Sequence, residues 1–473
     1  MSSAGISFGG LASGLDTKAI ISALVAIERR PINALETKKT SLGKQKSLFS
    51  DLKGLLEKLT TAAKALKSTT DFLAMKAASD NEDLVTAKAS SSATPGTHSF
   101  RVKKLANAQV NSSTGSASPT ASLGAPASLI LNVGGNNHLI AIGSAGPPPV
   151  NPSLESIAAA INDYDDTNEI GVRADVVDTG NTASGGANRY QLVVRSTTTG
   201  ADGAFTIAYD DGDAAFQAVI NDVAANVRTA AQNAEIELFS GTTPGTGVTI
   251  QRSSNTISDL FPGVTLDLKS ADATKTVTVT VNTDGEETSK KVTAFVEAYN
   301  KIVDFFAEQN VVDAEGKAKN PLFGDPTLRS MRSSLRAVVG GAVGTTGNEA
   351  YQLLSQIGIK SDTAGKLTFN QSKFEEALAA DETAVAAVFT DTANGIAARL
   401  VTQIDVYTDS VDGLIKTRSD GYDRQVKQTQ GRIEQSERRL TQFQKQLETK
   451  YANLESLLSR LQSQGSSVNN IRR

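Results

Sequence analysis

The C-terminal stretch 426–461, VKQTQGRIEQSERRLTQFQKQLETKYANLESLLSRL, decides how the ends of this chain fold. Large apolar residues recur in it every seven positions, at Val426, Ile433, Leu440, Leu447, Leu454 and Leu461. A second apolar row fills only the later heptads, at Phe443, Tyr451, Leu457 and Leu458. Arg, Lys, Glu and Gln occupy the positions between these rows. Such a sustained heptad repeat is typical of a coiled-coil helix that buries one seam against a partner helix.

The N-terminal region carries the same repeat. Its first row is formed by Leu35, Leu42, Phe49, Leu56 and Ala63. A second row, offset by three residues, is formed by Leu52, Leu59 and Leu66. Because heptads stand at both ends of the chain, we expect the termini to meet in a coiled-coil stem of residues 1–45 with 425–473, and everything between them to be an insertion.

A further helix is predicted upstream of the N-terminal heptads. Its apolar face is formed by Ile20, Leu24 and Ile27. Ser13 and Asp16 have the spacing of a capping box at its start. We expect Pro31 to end this helix and to begin the next one, because proline suits the first turn of a helix.

Helical and strand patterns alternate between the two ends. Helical faces are predicted within 292–306, 328–338, 374–389 and 396–404, and a short one within 154–161. Period-2 alternation predicts strands at 170–176, 190–194, 205–209, 264–268 and 277–281. The glycine-rich turn 134–137 predicts a hairpin between 129–133 and 138–142, and a stiff linker is expected at the proline-rich 146–152.

These patterns predict an α+β multidomain fold of nested domains. We expect 46–112 with 283–424 to form a helical leg domain with a β-hairpin. A β-rich plate domain is expected from 113–130 with 213–282. An α+β outer domain is expected from 131–212.

The composition excludes much chemistry. The chain has 473 residues, of which none is Cys or Trp and only His98 and His138 are histidines. Without cysteine there is no disulfide, thiolate metal site or thiol nucleophile. The formal net charge of −4 is uneven, since 113–282 holds seven basic and seventeen acidic residues. An acidic middle without basic clusters gives no indication of nucleic-acid binding.

Membrane insertion and secretory export are not predicted either. No stretch approaches the ~18 consecutive apolar residues of a membrane span. The apolar run 19–27 ends in Glu28-Arg29-Arg30 and lacks a small-residue cleavage site. An exported chain of this kind is therefore expected to use a route other than the general secretory one.

No catalytic, cofactor or metal site is predicted. The stretch 9–16 has the glycine spacing of a phosphate-binding loop but carries Leu15 where the lysine is required. The acidic stretches 163–166 and 210–213 lack the spacing of a calcium loop, so solvated turns are expected there. His98 and His138 have no serine–carboxylate arrangement near them in sequence.

Several motifs occur along the chain, at 10–17 with Glu28 and Pro31, 254–257, 261–266, 292–300, 321–329, 357–359 and 365–369. In this order they make the chain resemble the hook-associated protein 2 family, the caps of bacterial flagellar filaments. The module 129–209 is also similar to an insertion motif of flagellins and hook-associated proteins.

The resemblance implies a structural, non-enzymatic protein. It implies export of the unfolded chain through the flagellum's own channel, location at the extracellular filament tip, and assembly into a ring of identical subunits. Flagellin and hook-associated proteins are implied as partners, with an export chaperone for the C-terminal helix and host mucin as further ones. The helical stem and legs are implied to engage the filament, and the β-rich domains to form a plate beneath which flagellin folds and inserts.

Three alternatives stay open. One is another axial subunit of the flagellum, either at the hook–filament junction or flagellin-like. Another is an adhesin that binds host mucin or a cell surface through the plate domains. The third is an enzyme, for which the sequence offers no site.

Overall fold

The structure of this chain is a computed structural model that describes residues 16–145, 150–239, 243–344 and 350–471. Its helices are α1 (Thr17–Lys64), α2 (Thr69–Phe72), α3 (Leu154–Asn168), α4 (Ala214–Ala225), α5 (Gly285–Gln309), α6 (Pro326–Gly340), α7 (Gln371–Ala380), α8 (Glu382–Thr390), α9 (Ile396–Thr408) and α10 (Leu414–Ile471). Its strands are β1 (Met75–Ser79), β2 (Val85–Ala89), β3 (Gly96–Lys104), β4 (Val110–Ser112), β5 (Ala127–Val133), β6 (Asn136–Ile142), β7 (Val172–Asp178), β8 (Tyr190–Ser196), β9 (Phe205–Asp211), β10 (Val227–Thr229), β11 (Ala234–Leu238), β12 (Val248–Arg252), β13 (Thr256–Phe261), β14 (Val264–Leu268), β15 (Asp272–Thr283), β16 (Ile359–Ser361) and β17 (Leu367–Phe369).

The chain divides into two compact units. Unit 1 consists of Met1–Phe72 with Gly285–Arg473, and unit 2 consists of Leu73–Asp284. Unit 2 is thus inserted into unit 1, which contains both chain ends. The α+β multidomain fold with a nested insertion is confirmed.

Unit 1 is mainly helical. Helix α1 packs along α10, α9 and α5. Aromatic rings from distant parts of the sequence meet in its core, where the ring of Phe72 stacks on Phe389 at 5.1 Å and Phe295 meets the same ring edge-on at 6.3 Å. These side chains are fully buried, so α2, α5 and α8 are fixed to one another by apolar packing.

Helix α1 corrects the expected break at Pro31. It runs without interruption from Thr17 to Lys64 with Pro31 inside it. A proline within a helix removes one hydrogen bond and costs ~3 kcal/mol, but the buried apolar residues that follow, Ile32 and Leu42, hold the helix on its partners. The Asp16 carboxylate caps the helix by accepting a bond from the Ala19 amide at 2.9 Å, whereas Ser13 lies outside the described residues.

Unit 2 contains two separate cores. The first lies in a β-sandwich whose antiparallel sheets have the strand orders β1-β15-β3-β11-β12 and β13-β14-β2. Its buried side chains come from both sheets and include Val102, Ile236 and Val279 from the larger, with Val85, Ile257 and Leu266 from the smaller. Residues close to the two ends of unit 2 therefore share this core.

The second core belongs to an α+β module. Its sheets have the orders β10-β4-β8-β7 and β6-β5-β9, and α3 and α4 supply the remaining apolar faces. The predicted hairpin is confirmed as β5 and β6, joined through Gly134 and Gly135. Both glycines have positive φ, 59° and 84°, as the tight type I′ hairpin turn requires. The predicted short helix continues to Asn168, and part of the expected linker, 146–149, lies outside the described residues.

The strand pairing corrects two of the expected domain boundaries. Strands β1 and β3, expected in the helical leg domain, both pair with β15 in unit 2. Helix α4 and the first half of β5 (127–130), expected in the plate domain, share the core of the module that also holds α3 and the second half of β5. The reason is that β strands are completed by partners far along the chain, which sequence periodicity does not specify. The further division of unit 1 into stem and leg stays a prediction.

Candidate assembly surface

The candidate site is the contact between the terminal helices α1 and α10. The ammonium of Lys39 donates to the Gln430 side-chain oxygen at 2.7 Å, and that of Lys46 contacts the Asp423 carboxylate at 2.6 Å. Contacts advance along α1 as they recede along α10, so the two helices are antiparallel. The structure therefore brings together the heptads of the two chain ends.

The predicted seam residues of α1 lie mostly in the core. Leu42, Phe49 and Leu56 are buried, and Leu35 is half-buried. The second row, Leu52, Leu59 and Leu66, is also fully buried. Helix α1 is covered on more than one side, because α5 and α9 pack on it in addition to α10.

The predicted seam residues of α10 become more exposed to solvent toward the C-terminal end of the helix. Ile433 is buried, whereas Val426, Leu440 and Leu447 are half-buried. The exposed fraction rises to 42% for Leu454 and 53% for Leu461. The far half of α10 therefore presents apolar side chains that are accessible to another molecule.

The sequence pattern misses the early part of the second row on α10. Tyr422 and Thr429, three residues beyond heptad positions, are both buried. The Tyr422 ring packs on Phe49 at 6.0 Å, and burial raises the pKa of its hydroxyl. The Thr429 hydroxyl donates to the Gln425 carbonyl at 2.8 Å, which satisfies it inside the seam. Both positions would have been found by extending the second row toward the N-terminal end of α10 and accepting polar residues in it.

Two family-like motifs hold unit 1 together around this pair. Within 321–329, Asp325 caps α6 by accepting from the Thr327 amide at 2.7 Å. Arg418 of α10 donates to the Thr327 hydroxyl at 3.0 Å and pairs with Asp325 at 3.6 Å. Within 292–300, the Asn300 side chain bonds both backbone groups of Leu367 at 2.8 Å. These polar residues fix α6 to α10 and α5 to β17.

The residues considered for chemistry have structural roles where they are described. The His98 ring stacks on Phe261 at 4.0 Å, and the His138 ring lies edge-on to Tyr164 at 5.7 Å. In the acidic stretch 210–213, Asp213 accepts from the Ala125 amide at 2.7 Å. The phosphate-loop-like stretch lies outside the described residues up to position 15.

Neither a metal site nor a membrane span is found in the described part of the chain. No group of three His, Asp or Glu side chains there is arranged to hold an ion. Among the same residues, every helix is too short or too polar to cross a bilayer. The candidate site is a packing surface between two helices.

Comparisons with known proteins give the family. The family models for the flagellar hook-associated protein 2 N-terminus and C-terminus match residues 13–109 and 231–463. The B-type flagellar hook-associated protein 2 of Pseudomonas aeruginosa is 30% identical over 442 residues, which cover 88% of this chain and 86% of the relative. The flagellar hook-associated protein 2 of Escherichia coli K12 is 28% identical over 445 residues, covering 90% and 89%. This chain belongs to the flagellar hook-associated protein 2 family.

A solved structure agrees with this assignment. The D1-D2-D3 domains of the flagellar cap protein FliD from Escherichia coli match with a TM-score of 0.60 at 29% identity. The match covers 80% of this chain and 99% of that one. The resemblance predicted from the sequence motifs is confirmed.

Proposed function

We propose that this chain caps the tip of the bacterial flagellar filament, where it retains exported flagellin and promotes its folding and insertion. The observation that carries the proposal is the match in fold to a flagellar cap protein over 80% of the chain. The site supports it as well, because a surface made of packed helices and exposed apolar side chains serves assembly. The action is mechanical, without a catalytic step.

The two units have separate roles in this proposal. Unit 1 supplies the legs, and its terminal helices engage the filament end. Leu454 and Leu461 are accessible there for contact with a helix of flagellin or of a hook-associated protein. Unit 2 supplies the plate, and identical subunits associate into a ring.

The proposed location is the extracellular filament tip, reached by export of the unfolded chain through the flagellum. The absence of cysteine in all 473 residues suits this route, because no crosslink can form that would prevent threading. The C-terminal helix is the proposed binding site for an export chaperone, since its apolar seam needs cover before assembly.

A deletion strain tests the function. Cells lacking this chain should release unpolymerised flagellin into the medium and grow no long filaments, and a plasmid copy should restore growth. Normal filaments and cell-bound flagellin in the deletion strain would refute the proposal. A purified chain that grows into long filaments by itself would instead indicate another axial subunit.

A seam variant tests the role of the legs. Replacing Leu440, Leu447 and Leu454 with Asp places charges on the seam of α10, so filament growth should stop although unit 2 keeps its fold. The matched control places Asp at exposed polar positions of the same helix, at Gln442, Gln446 and Asn453. Filament growth should survive in the control, and normal growth in the seam variant would contradict the leg assignment.

A further inference from the structure

A groove runs along the α1–α10 pair beside Pro31. It consists of two adjoining depressions that share Pro31, Ser436 and Arg439. Leu35 and Arg432 line one of them, and Leu440 lines the other. Leu35 and Leu440 are half-buried, so their side chains form an apolar floor that stays open on one side. The groove is part of the folded helix pair, because α1 and α10 both contribute to its walls.

Pro31 makes this part of α1 unlike the rest of the helix. It has no amide hydrogen, so the carbonyl of Ile27 lacks the helical bond that residue 31 would donate. The Ile27 side chain is 55% exposed, and Pro31 itself lies at the surface. A residue that costs the helix ~3 kcal/mol and contributes little to the core suggests a role at the surface.

Three cations border the groove, at Lys38, Arg432 and Arg439, and the Glu28 carboxylate lines the end beside Leu440, so the rim is net positive. Among the described residues, none of the three forms an ion pair with a carboxylate, whereas Lys46 on the same helix is paired with Asp423. These cations are therefore not used to join α1 to α10. Arg432 and Arg439 are seven residues apart on one helix, which separates them by about 10 Å along the axis.

The geometry points to this groove as the docking site of a partner's amphipathic helix, whose apolar stripe is flanked by carboxylates two turns apart. The apolar side chains of such a helix fit the floor of Leu35 and Leu440, and its carboxylates face Arg432 and Arg439. Both the cations and the apolar floor are satisfied by such a helix. A nucleic acid would match the cations with its phosphates but would leave the apolar floor uncovered. The inference rests on the proposed function, because the partner is taken to be a subunit at the filament end.

The test uses the full-length chain and sheared filaments of the cognate flagellin, whose ends are exposed. Labelled chain bound to filament ends is measured against concentration at low and high salt. The groove variant is Arg432→Glu with Arg439→Glu. The matched control is Arg438→Glu with Lys445→Glu, which makes the same charge change at exposed positions of α10 that do not line the groove. Circular dichroism and melting establish that both variants keep the helices.

The groove variant should bind filament ends at least about tenfold more weakly, with a smaller salt dependence, since reversed charges repel the partner's carboxylates. The control should bind within about twofold of the unmodified chain. Equal binding by both variants, or equal weakening of both, overturns the inference. Failure of the unmodified chain to bind any filament end refutes the proposed function itself. The unmodified chain could instead bind anionic lipid vesicles or single-stranded RNA more strongly than filament ends, with that binding lost in the groove variant alone. This result would identify another occupant of the groove and would also overturn the inference.

Discussion

Truncation of one seam residue gives the sharpest test of the terminal helix pair. Ile433 lies in the middle of the described contact and is 5% exposed, whereas Leu454 on the same helix is 42% exposed. Both are aliphatic residues at heptad positions. Replacing each by Ala removes a similar side chain from two very different environments.

The expected magnitudes differ because one site leaves a cavity and the other does not. Truncation of a buried Ile to Ala costs about 2–5 kcal/mol, from lost transfer free energy and the residual cavity. Ile433→Ala should therefore weaken the pair by about 3 kcal/mol, which corresponds to roughly a hundredfold increase in the opening equilibrium at 1.4 kcal/mol per factor of ten. Leu454→Ala should change it by no more than about 1 kcal/mol, since that side chain is already half in water.

Amide hydrogen exchange, followed by mass spectrometry, measures the opening of the helix pair peptide by peptide. A global unfolding curve is less suitable, because two units need not unfold together. Peptides from 30–50 and 420–440 should exchange faster together in Ile433→Ala, since the two helices cover each other. Peptides from β3 and β15 in unit 2 serve as an internal control and should be unchanged. The antiparallel seam would be refuted if the two truncations changed the exchange rates equally. It would also be refuted if Ile433→Ala speeded exchange in α10 but not in α1.

Other predictions concern single groups. The Arg189 guanidinium and the Gly180 amide lower the pKa of Asp178 to about 2, so its contribution to stability is complete above the unfolded value near pH 4 and is lost as pH falls toward 2; an NMR titration that gives an ordinary pKa for Asp178 would contradict this. Gly134→Val should destabilise the module that contains β5 by about 1–2 kcal/mol or more, because a β-branched residue is strained at φ 59°; an unchanged melting temperature would count against the turn. Thr429→Val should leave the helix pair as stable or more stable, since the Gln425 carbonyl keeps its helical bond when the hydroxyl is lost; a loss above about 1.5 kcal/mol, measured by amide exchange of the α1 and α10 peptides, would show that the hydroxyl is required.

The long helices with heptads and the β5–β6 hairpin could be predicted from the sequence, because their signals are local. A seven-residue repeat defines a helix seam without knowledge of the partner, and two glycines between alternating strands define a tight hairpin. The two helices that carry the repeats pack on each other, and Ile433 of α10 is buried. That the heptad rows form the assembly seam stays a prediction. The family could be predicted because its motifs occur in order along the chain.

The rest depended on pairing over long distances, which periodicity does not encode. Strand β3 is completed by β11 and β15, more than 130 residues later, so its place in unit 2 could not be found from its own alternation. Tyr422 and Thr429 were missed because a search for apolar residues passes over side chains that carry a hydroxyl, although both are buried in the structure. Pro31 was assigned its usual local effect, but the packing of the helix overrides it.

The pairing of β4 with β10 has a consequence for how unit 2 is connected. Val227 stands directly opposite Asn111, and Asn107 bridges to Gln232, so the chain leaves the β-sandwich and returns to it at neighbouring positions. The two family models stop at residue 109 and resume at 231, the same borders. Residues 113–226 are therefore an insertion that begins and ends at one place on the β-sandwich, whose own strands pair without it.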